Sequence, residues 1–370
     1  MKQVKFGTDI YIGTDALTKL NDFQNERICV VTDNFMVESG MINFVTSNIN
    51  DSNEHAIFTD IVPDPTIENV VSGVEELSKF NPSVMVALGG GSAIDAAKAI
   101  KLMGMKLDII KEVTLVIIPT TSGTGSEVTD FSVITNKKEN LKYPLVDDLL
   151  QPDIAILDSR LVETVPPTIT ADTGMDVLTH ALEAYVSTEA TDFSDALAEK
   201  AVELIFEYLE RAYVDGKDSE AREKVHYASC LAGLAFNQVS LGLCHGIAHT
   251  VGGKLHLAHG RINGILLPSI VQYNSNENQR ALERYATLAR KQGLSNSKGK
   301  VAVRSLVNRI TELRAKLNMP ANFIDAGFTK DDVTPHLATI SEEALLDPTT
   351  KTNPKTPTKE DVRQIVSKLF

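Results

Sequence analysis

Tryptophan is absent from the 370 residues, and cysteine is scarce: Cys29, Cys230 and Cys244 are the only three. They form no CxxC pair and no disulfide framework, which suits a reducing compartment. Long hydrophobic runs are missing too. No stretch reaches the roughly 18 apolar residues that a membrane-spanning helix needs. The N-terminal "MKQVKFGTDIYIG" has no apolar core of the kind a secretory signal carries, so a cytoplasmic location is expected. Basic charge is in deficit, with 36 Lys and Arg against 49 Asp and Glu and a net charge of -13. Such a chain repels phosphate backbones, and no basic stripe offsets this, so neither nucleic acid nor membrane is an expected partner. Low-complexity tracts and internal repeats are also lacking. What remains is the composition of an ordinary globular protein, 43% hydrophobic and 23% charged. Its length favours two domains.

The first 160 or so residues alternate short apolar runs with amphipathic segments. "RICVVTD" (27–33), "SVMVALGG" (83–90), "VTLVIIPT" (113–120) and "DIAILD" (153–158) read as strands, each ending in a polar or glycine turn. Runs apolar at every position imply burial on both faces, hence a mainly parallel sheet covered by helices. Residues 66–80 and 92–103 carry helical spacing between them, giving βαβ alternation. After "VPP" (165–167) the texture changes. Helical patterns follow at 171–188, 194–213, 220–239, 278–292 and 301–317, with no strong strand. Thr358 and Asp361 are spaced to cap a last short helix. The reading is an α/β domain over 1–162 and an all-α domain over 163–370.

"ALGGGSAIDAAK" (87–98) ends a buried strand in three glycines and starts a helix at once. A phosphate can approach such a backbone closely, and the unpaired N–H groups and dipole of the helix favour an anion. Ser92 and Asp95 are spaced as a cap pair. The segment is neither GxGxxG nor a P-loop, so a plain strand-to-helix turn is the competing reading. "PTTSGTGSE" (119–127) offers Gly123, Gly125 and the hydroxyls of Thr120, Thr121, Thr124 and Ser126 after the next strand. Two such loops at the carboxyl ends of successive parallel strands suit an extended phosphate-bearing ligand such as a dinucleotide. Asp33, closing "CVVTD", is placed either to bind a ribose diol and so favour NAD over NADP, or to cap the next helix.

"FNQVSLGLCHGIAHTVGGKLHLAHG" (236–260) holds four of the eight histidines: His245, His249, His256 and His259. One straight helix from 245 to 259 would separate its ends by roughly 21 Å, too far for one metal. Either the cluster is not one site or the chain turns back, and Gly252 and Gly253 offer a break. "ADTGMDVLTHALEAY" (171–185) sets Asp176 and His180 four apart on one helical face. One carboxylate and three imidazoles form an all N/O donor set suited to Fe(II), Zn(II) or a similar ion. Cys244 reads as a small buried hydrophobe rather than a ligand. His55, His226 and His336 stand alone and take no role.

Together "GGGSAIDAAK", "IPTTSGTGSEVT", "PDIAILD", "TGMDVLTHALEAY" and "CHGIAHTVGGKLHLAHGRINGILLP" resemble the iron-containing (group III) alcohol dehydrogenase family along nearly the whole chain. The resemblance implies a dehydroquinate synthase-like architecture: an N-terminal α/β dinucleotide-binding domain and a C-terminal all-helical metal-binding domain. It implies metal ligands at Asp176, His180, His245 and His259, with iron(II) first and zinc(II) or another divalent ion as alternatives. It places His249 near the nicotinamide as a catalytic residue. It places NAD(H) on Asp33, Gly89, Gly90, Gly91, Ser92, Asp95, Lys98, Thr120, Thr121 and Thr124. "KYPLVDDLLQPDIAILD", "SDALAEKA" and "TKTNPK" are similar to the branch that handles 1-propanol in bacterial propanediol utilisation. That implies reduction of propanal and other short aldehydes and the reverse reaction, by a homo-oligomer working in or near a bacterial microcompartment. Ethanol or acetaldehyde, or a glycerol-type polyol, is the alternative substrate.

Overall fold

The computed structural model describes residues 3–138 and 141–370. The chain divides into two units, one ending at Val165 and the other running from Pro166 to Phe370. Among the described residues no single helix is long and apolar enough to cross a membrane.

Among the described residues the first unit has eight strands: β1 (Asp9–Ile12), β2 (Arg27–Val31), β3 (Glu54–Phe58), β4 (Val84–Gly89), β5 (Thr114–Pro119), β6 (Phe131–Asn136), β7 (Leu141–Val146) and β8 (Ile154–Leu157). Six form one sheet in the order β1-β8-β5-β4-β2-β3, and every pairing in it is parallel. Its helices are α1 (Asn34–Glu38), α2 (Ile42–Thr46), α3 (Ile67–Phe80) and α4 (Gly91–Lys106). The continuous apolar strands have the physical cause the sequence suggests. Cys29, Val31, Met85 and Ala87 pack in the core under α3 and α4. Ile28, Val30, Val84 and Val86 pack in the opposite core with Met36 of α1 and Ile42 of α2. Alternate residues of one strand are therefore buried on opposite faces. From β2 the chain moves outward to β3, then returns to β4 on the other side of β2. The carboxyl ends of β2 and β4 thus flank the topological switch point, where open α/β sheets bind ligands.

The edge strands β1 and β3 and the antiparallel hairpin β6–β7 are additions to the strands expected from the sequence.

The second unit is helical: α5 (Pro167–Val186), α6 (Asp192–Val214), α7 (Ser219–Val239), α8 (Leu243–Leu255), α9 (His259–Ser275), α10 (Gln279–Lys291), α11 (Gly299–Lys316), α12 (Lys330–Val333), α13 (Leu337–Leu346) and α14 (Lys359–Ser367). Thr358 and Asp361 form the expected capping box on α14. Helix α5 starts at Pro167, where a missing N–H costs nothing. From Thr170 to Val186 nearly all its residues are buried, so each polar side chain there must find a partner. Helix α9 continues through Pro268. A proline leaves the carbonyl four residues earlier without its helical donor. That carbonyl belongs to Gly264, and buried Arg314 of α11 donates to it at 3.3 Å and to the carbonyl of Ile265 at 3.4 Å.

The turn inside the histidine-rich segment does not fall at Gly252 and Gly253. Both lie inside α8, and the helix ends at His256, which takes the left-handed conformation (φ 51°, ψ 34°). His256 itself is exposed.

Candidate metal centre and nucleotide-binding loops

Polar residues on the buried helix α5 converge with α8 and α9. The nearest Asp176 carboxylate oxygen, Oδ1, lies 4.0 Å from His180 Nε2, 3.6 Å from His245 Nε2 and 3.7 Å from His259 Nε2. Donor atoms of Asp176, His180 and His245 all lie within 4.8 Å of one another, and all three residues are buried. His259 joins from the first turn of α9 and is 39% exposed at its side chain. The rings of His180 and His245 stack at 4.6 Å between centroids. Donors spread tetrahedrally around one ion at about 2.1 Å stand roughly 3.4 Å apart, so this spacing is close to what one cation needs. The turn at His256 brings 245 and 259 together where one straight helix would part them.

Asn263, one turn along α9 from His259, completes the cluster, and its residue type alone gives no warning of that. Its Nδ2 lies 2.7 Å from Asp176 Oδ1, 3.2 Å from His245 Nε2 and 3.1 Å from His259 Nε2. An amide nitrogen carries two hydrogens, so it cannot donate to all three atoms at once. The buried Asn263 Oδ1 has no hydrogen-bond partner among the described residues. The hydrogen bonds of the cluster are thus left incomplete, and an all N/O donor set of this kind fits a divalent cation.

The electrostatics agree. Burial would raise the carboxyl of Asp176, but the imidazoles of His180, His259 and His245 hold it well below the usual carboxylate range. Burial would lower His245, but hydrogen bonds to Asp176 and Glu183 lift it to about 9. Burial pushes His259 down, and the neighbouring imidazoles add to that. Cys244 is fully buried, its thiol raised well above the ordinary value by desolvation and by Glu183; it packs as an apolar side chain.

His249 sits on the exposed side of this cluster, stacked on His259 at 5.2 Å. Its Nδ1 lies 2.8 Å from Asp347 Oδ2. That contact and burial oppose each other at Asp347: desolvation raises its carboxyl, and His249 brings it down to about 2. Asp347 lies far along the chain in "EEALLDPTT" and carries no local signal of this role.

Close crossing of α5 and α9 sets Asp176 against His259, and residue 260 permits it. A Cβ there would lie 2.1 Å from the carbonyl oxygen of Asp172 and 2.7 Å from its carbon. Both are backbone atoms and cannot rotate away. Beside this crossing Arg261 makes two 3.0 Å bonds to the Asp172 carboxylate. Gly260→Ala should therefore force the helices apart, cost about 3 kcal/mol of stability and reduce retained metal. Thermal unfolding and metal analysis of the purified variant read both effects.

In the first unit, Asp33 and the glycine triplet meet at the switch point. Asp33 caps α1, accepting from Met36 N–H at 3.1 Å, so the capping reading holds. Its other oxygen faces Gly89, 3.8 Å from where a Cβ would stand. Gly89 has φ +152°, which side chains rarely adopt. Thr121 and Thr124 pack against Gly90 and Gly91, and Thr120 donates its N–H to Gly89 O at 3.0 Å, so the two loops form one structure. Helix α4 follows Gly90, which offers no side-chain cap, and this leaves the helix's amide end suited to an anion.

Three expected details differ. Ser92 does not cap the helix; its Oγ accepts from Asp64 N–H at 3.3 Å. Asp95 accepts from Ser126 Oγ at 2.8 Å and Val133 N–H at 3.1 Å. Lys98 is fully buried and donates to Thr129 O at 2.6 Å and Phe131 O at 3.0 Å. Asp95 and Lys98 thus anchor β6 and the segment before it rather than facing the open end of α4.

Comparison with known proteins agrees with this layout. The iron-containing alcohol dehydrogenase family model matches residues 7–159, and the model for the family's C-terminal part matches 170–370. The chain is 42% identical to the 1-propanol dehydrogenase PduQ of Salmonella typhimurium, over the full length of both. It is 39% identical to the NADPH-dependent butanol dehydrogenase of Clostridium saccharobutylicum, covering 98% of this chain and 96% of that one. Among solved structures it is similar to the sulfoacetaldehyde reductase of Bifidobacterium kashiwanohense in complex with NAD+. That match has a TM-score of 0.89 and 29% identity, and covers 100% of this chain and 98% of that one.

Proposed function

The chain belongs to the iron-containing alcohol dehydrogenase family, and from that membership we propose that it interconverts propanal and 1-propanol with NAD(H) at a divalent ion, iron(II) first, bound by Asp176, His180, His245 and His259. The observation that carries the reading is the convergence of one carboxylate and three imidazole nitrogens, spaced 3.6–4.0 Å from Asp176 Oδ1. A divalent ion held there supplies Lewis acidity to a carbonyl oxygen. The chain's part is to hold those donors together, with Asp176, His180 and His245 buried, where electrostatic interactions are strong. Asp347 accepts from Nδ1–H of His249 and leaves Nε2 as the nitrogen that gives or takes a proton. Gly89, Gly90, Gly91 and Ser92 at the open end of α4, with Thr120, Thr121 and Thr124, are the surface for the cofactor pyrophosphate. The short-aldehyde assignment rests on the similarity to the 1-propanol dehydrogenase. The resemblance read from the sequence adds a cytoplasmic homo-oligomer associated with a microcompartment.

The test is steady-state turnover of two- to four-carbon aldehydes by stripped protein reloaded with Fe(II) or Zn(II), using NADH and NADPH. The highest kcat/KM is expected for propanal with NADH and iron. Absence of metal-dependent turnover with all of these substrates would overturn the proposal.

Cofactor choice has its own test, made sharper by the NADPH-dependent relative. The Asp33 carboxylate should bind a ribose diol and repel a 2′-phosphate. Asp33→Gly should lower the NADH/NADPH ratio of kcat/KM by roughly tenfold or more, the equivalent of about 1.4 kcal/mol. An unchanged ratio would leave Asp33 as a helix cap alone.

A further inference from the structure

Helix α8, which carries His245, has no cap of its own at Gly242. Its first amides are taken by residues distant in sequence. Leu243 N–H donates to Asn353 Oδ1 at 3.2 Å, and Cys244 N–H donates to Glu183 Oε1 at 2.6 Å. A Cβ at residue 242 would stand 2.8 Å from that Glu183 oxygen and 2.9 Å from Asn353 Oδ1, so a glycine leaves them room. The second oxygen of Glu183, Oε2, lies 2.6 Å from His245 Nδ1. Both side chains are 1% exposed.

We propose that Glu183 is a positioning residue of the metal centre: it fixes His245 as the Nδ1–H tautomer and brings the second buried negative charge that balances a dication. The proposal rests on the metal reading given above. A neutral imidazole has one donor and one acceptor nitrogen. A carboxylate only accepts, so the ring nitrogen facing Glu183 carries the hydrogen and Nε2 keeps its lone pair. That lone pair is on the nitrogen 3.6 Å from Asp176 Oδ1. Charge points the same way. With a metal bound, His245 gives up the second proton that its two carboxylate partners otherwise favour, and Asp176 and Glu183 then bring two negative charges into a buried cluster whose other donors are neutral imidazoles. A dication cancels them, whereas an uncompensated buried charge is costly. A carboxylate behind a ligating histidine also raises the basicity of that ligand.

Glu183→Gln is the discriminating substitution, because it preserves volume and burial. If its oxygen accepts from Cys244 N–H, its NH2 group faces Nδ1 and forces the hydrogen onto Nε2, which then cannot ligate. The dissociation constant for Zn(II), measured by chelator competition, should rise about 10–100-fold. The visible spectrum of the Co(II)-loaded protein should change with it. Asn353→Ala disturbs the same helix start without touching the imidazole. It should lower Tm and leave Zn(II) affinity unchanged. In wild-type protein loaded with Zn(II), 15N NMR should find His245 protonated at Nδ1, a readout that does not depend on any variant folding. Wild-type affinity and spectrum in Glu183→Gln, an equal affinity loss in Asn353→Ala, or a proton on Nε2 would each overturn the proposal. Failure of the metal reading looks different: wild-type protein would bind no dication at all, and both would fall together.

Discussion

Asp176→Ala should leave the protein without bound metal and, under the proposed function, slow aldehyde reduction by about a thousandfold or more. Asp176 is the point of convergence, since three imidazole nitrogens lie within 4.0 Å of its Oδ1. It is also the one carboxylate among the proposed ligands. Without it, neutral imidazoles alone would have to hold a dication in a buried site. Loss of several kcal/mol of charge stabilisation at the carbonyl oxygen corresponds to three or more powers of ten in rate. The variant should still fold, because alanine leaves the crossing of α5 and α9 at Gly260 intact. It should lose the stabilisation that bound metal confers, about 2.7 kcal/mol at a hundredfold excess over the dissociation constant. Cofactor affinity should persist, because Asp33 and Gly89–Ser92 belong to the other unit. Metal analysis, NADH fluorescence titration and turnover separate these effects. His259→Ala should lose metal and turnover in the same direction. Wild-type metal content in Asp176→Ala would remove Asp176 from the ligand set.

Much of this centre was legible because chemistry-bearing residues stood in apolar surroundings. Asp176 and His180 interrupt "MDVLTHALEAY", and a polar residue on a buried helix needs a partner. Glu183 carried the same signal, since 176, 180 and 183 fall on one helical stripe. Its partner, the uncapped start of α8, lies 59 or more residues away, and that distance hid its role. Asn263 and Asp347 were hidden for a related reason: tertiary packing, not local spacing, brings them to the histidines. Strands β2, β4, β5 and β8 were readable because both faces are buried. The edge strands were not. The strand Glu54–Phe58 buries only Phe58 fully, and Asp9–Ile12 buries no residue fully, so their sequences keep polar residues. The turn at His256 escaped notice because two glycines nearby offered a more obvious break. Both glycines stay helical, Gly253 on the exposed face of α8.

Lys98→Met should destabilise the first unit by about 3–5 kcal/mol, the range for removing one partner from a buried charge cluster. The sequence places Lys98 one turn beyond the glycine loop, where a cofactor phosphate is the natural expectation. The structure gives its ammonium group to the carbonyls of Thr129 and Phe131 instead. Burial lowers Lys98 to about 8, with Asp95 and Glu127 working against that shift. Burial raises Asp95, opposed first by Lys98, and raises Glu127 to about 7. Methionine fills the volume but leaves two carbonyls without their donor and both carboxylates without their cation. The sign of the pH dependence follows. A carboxyl whose folded pKa exceeds its unfolded value favours the fold when protonated, and that advantage is lost as pH rises through the folded value. Removing the cation raises both carboxyls further. The deficit against wild type should grow as pH rises from 5 towards 7, where Glu127 begins to ionise while Lys98 still carries its proton, and should shrink towards pH 5 as the folded state takes up protons. Urea unfolding without cofactor at pH 7 and pH 5 measures it. An equal deficit at both pH values would mean that lost hydrogen bonds alone are responsible. Unchanged stability with weakened NADH binding would return Lys98 to the cofactor.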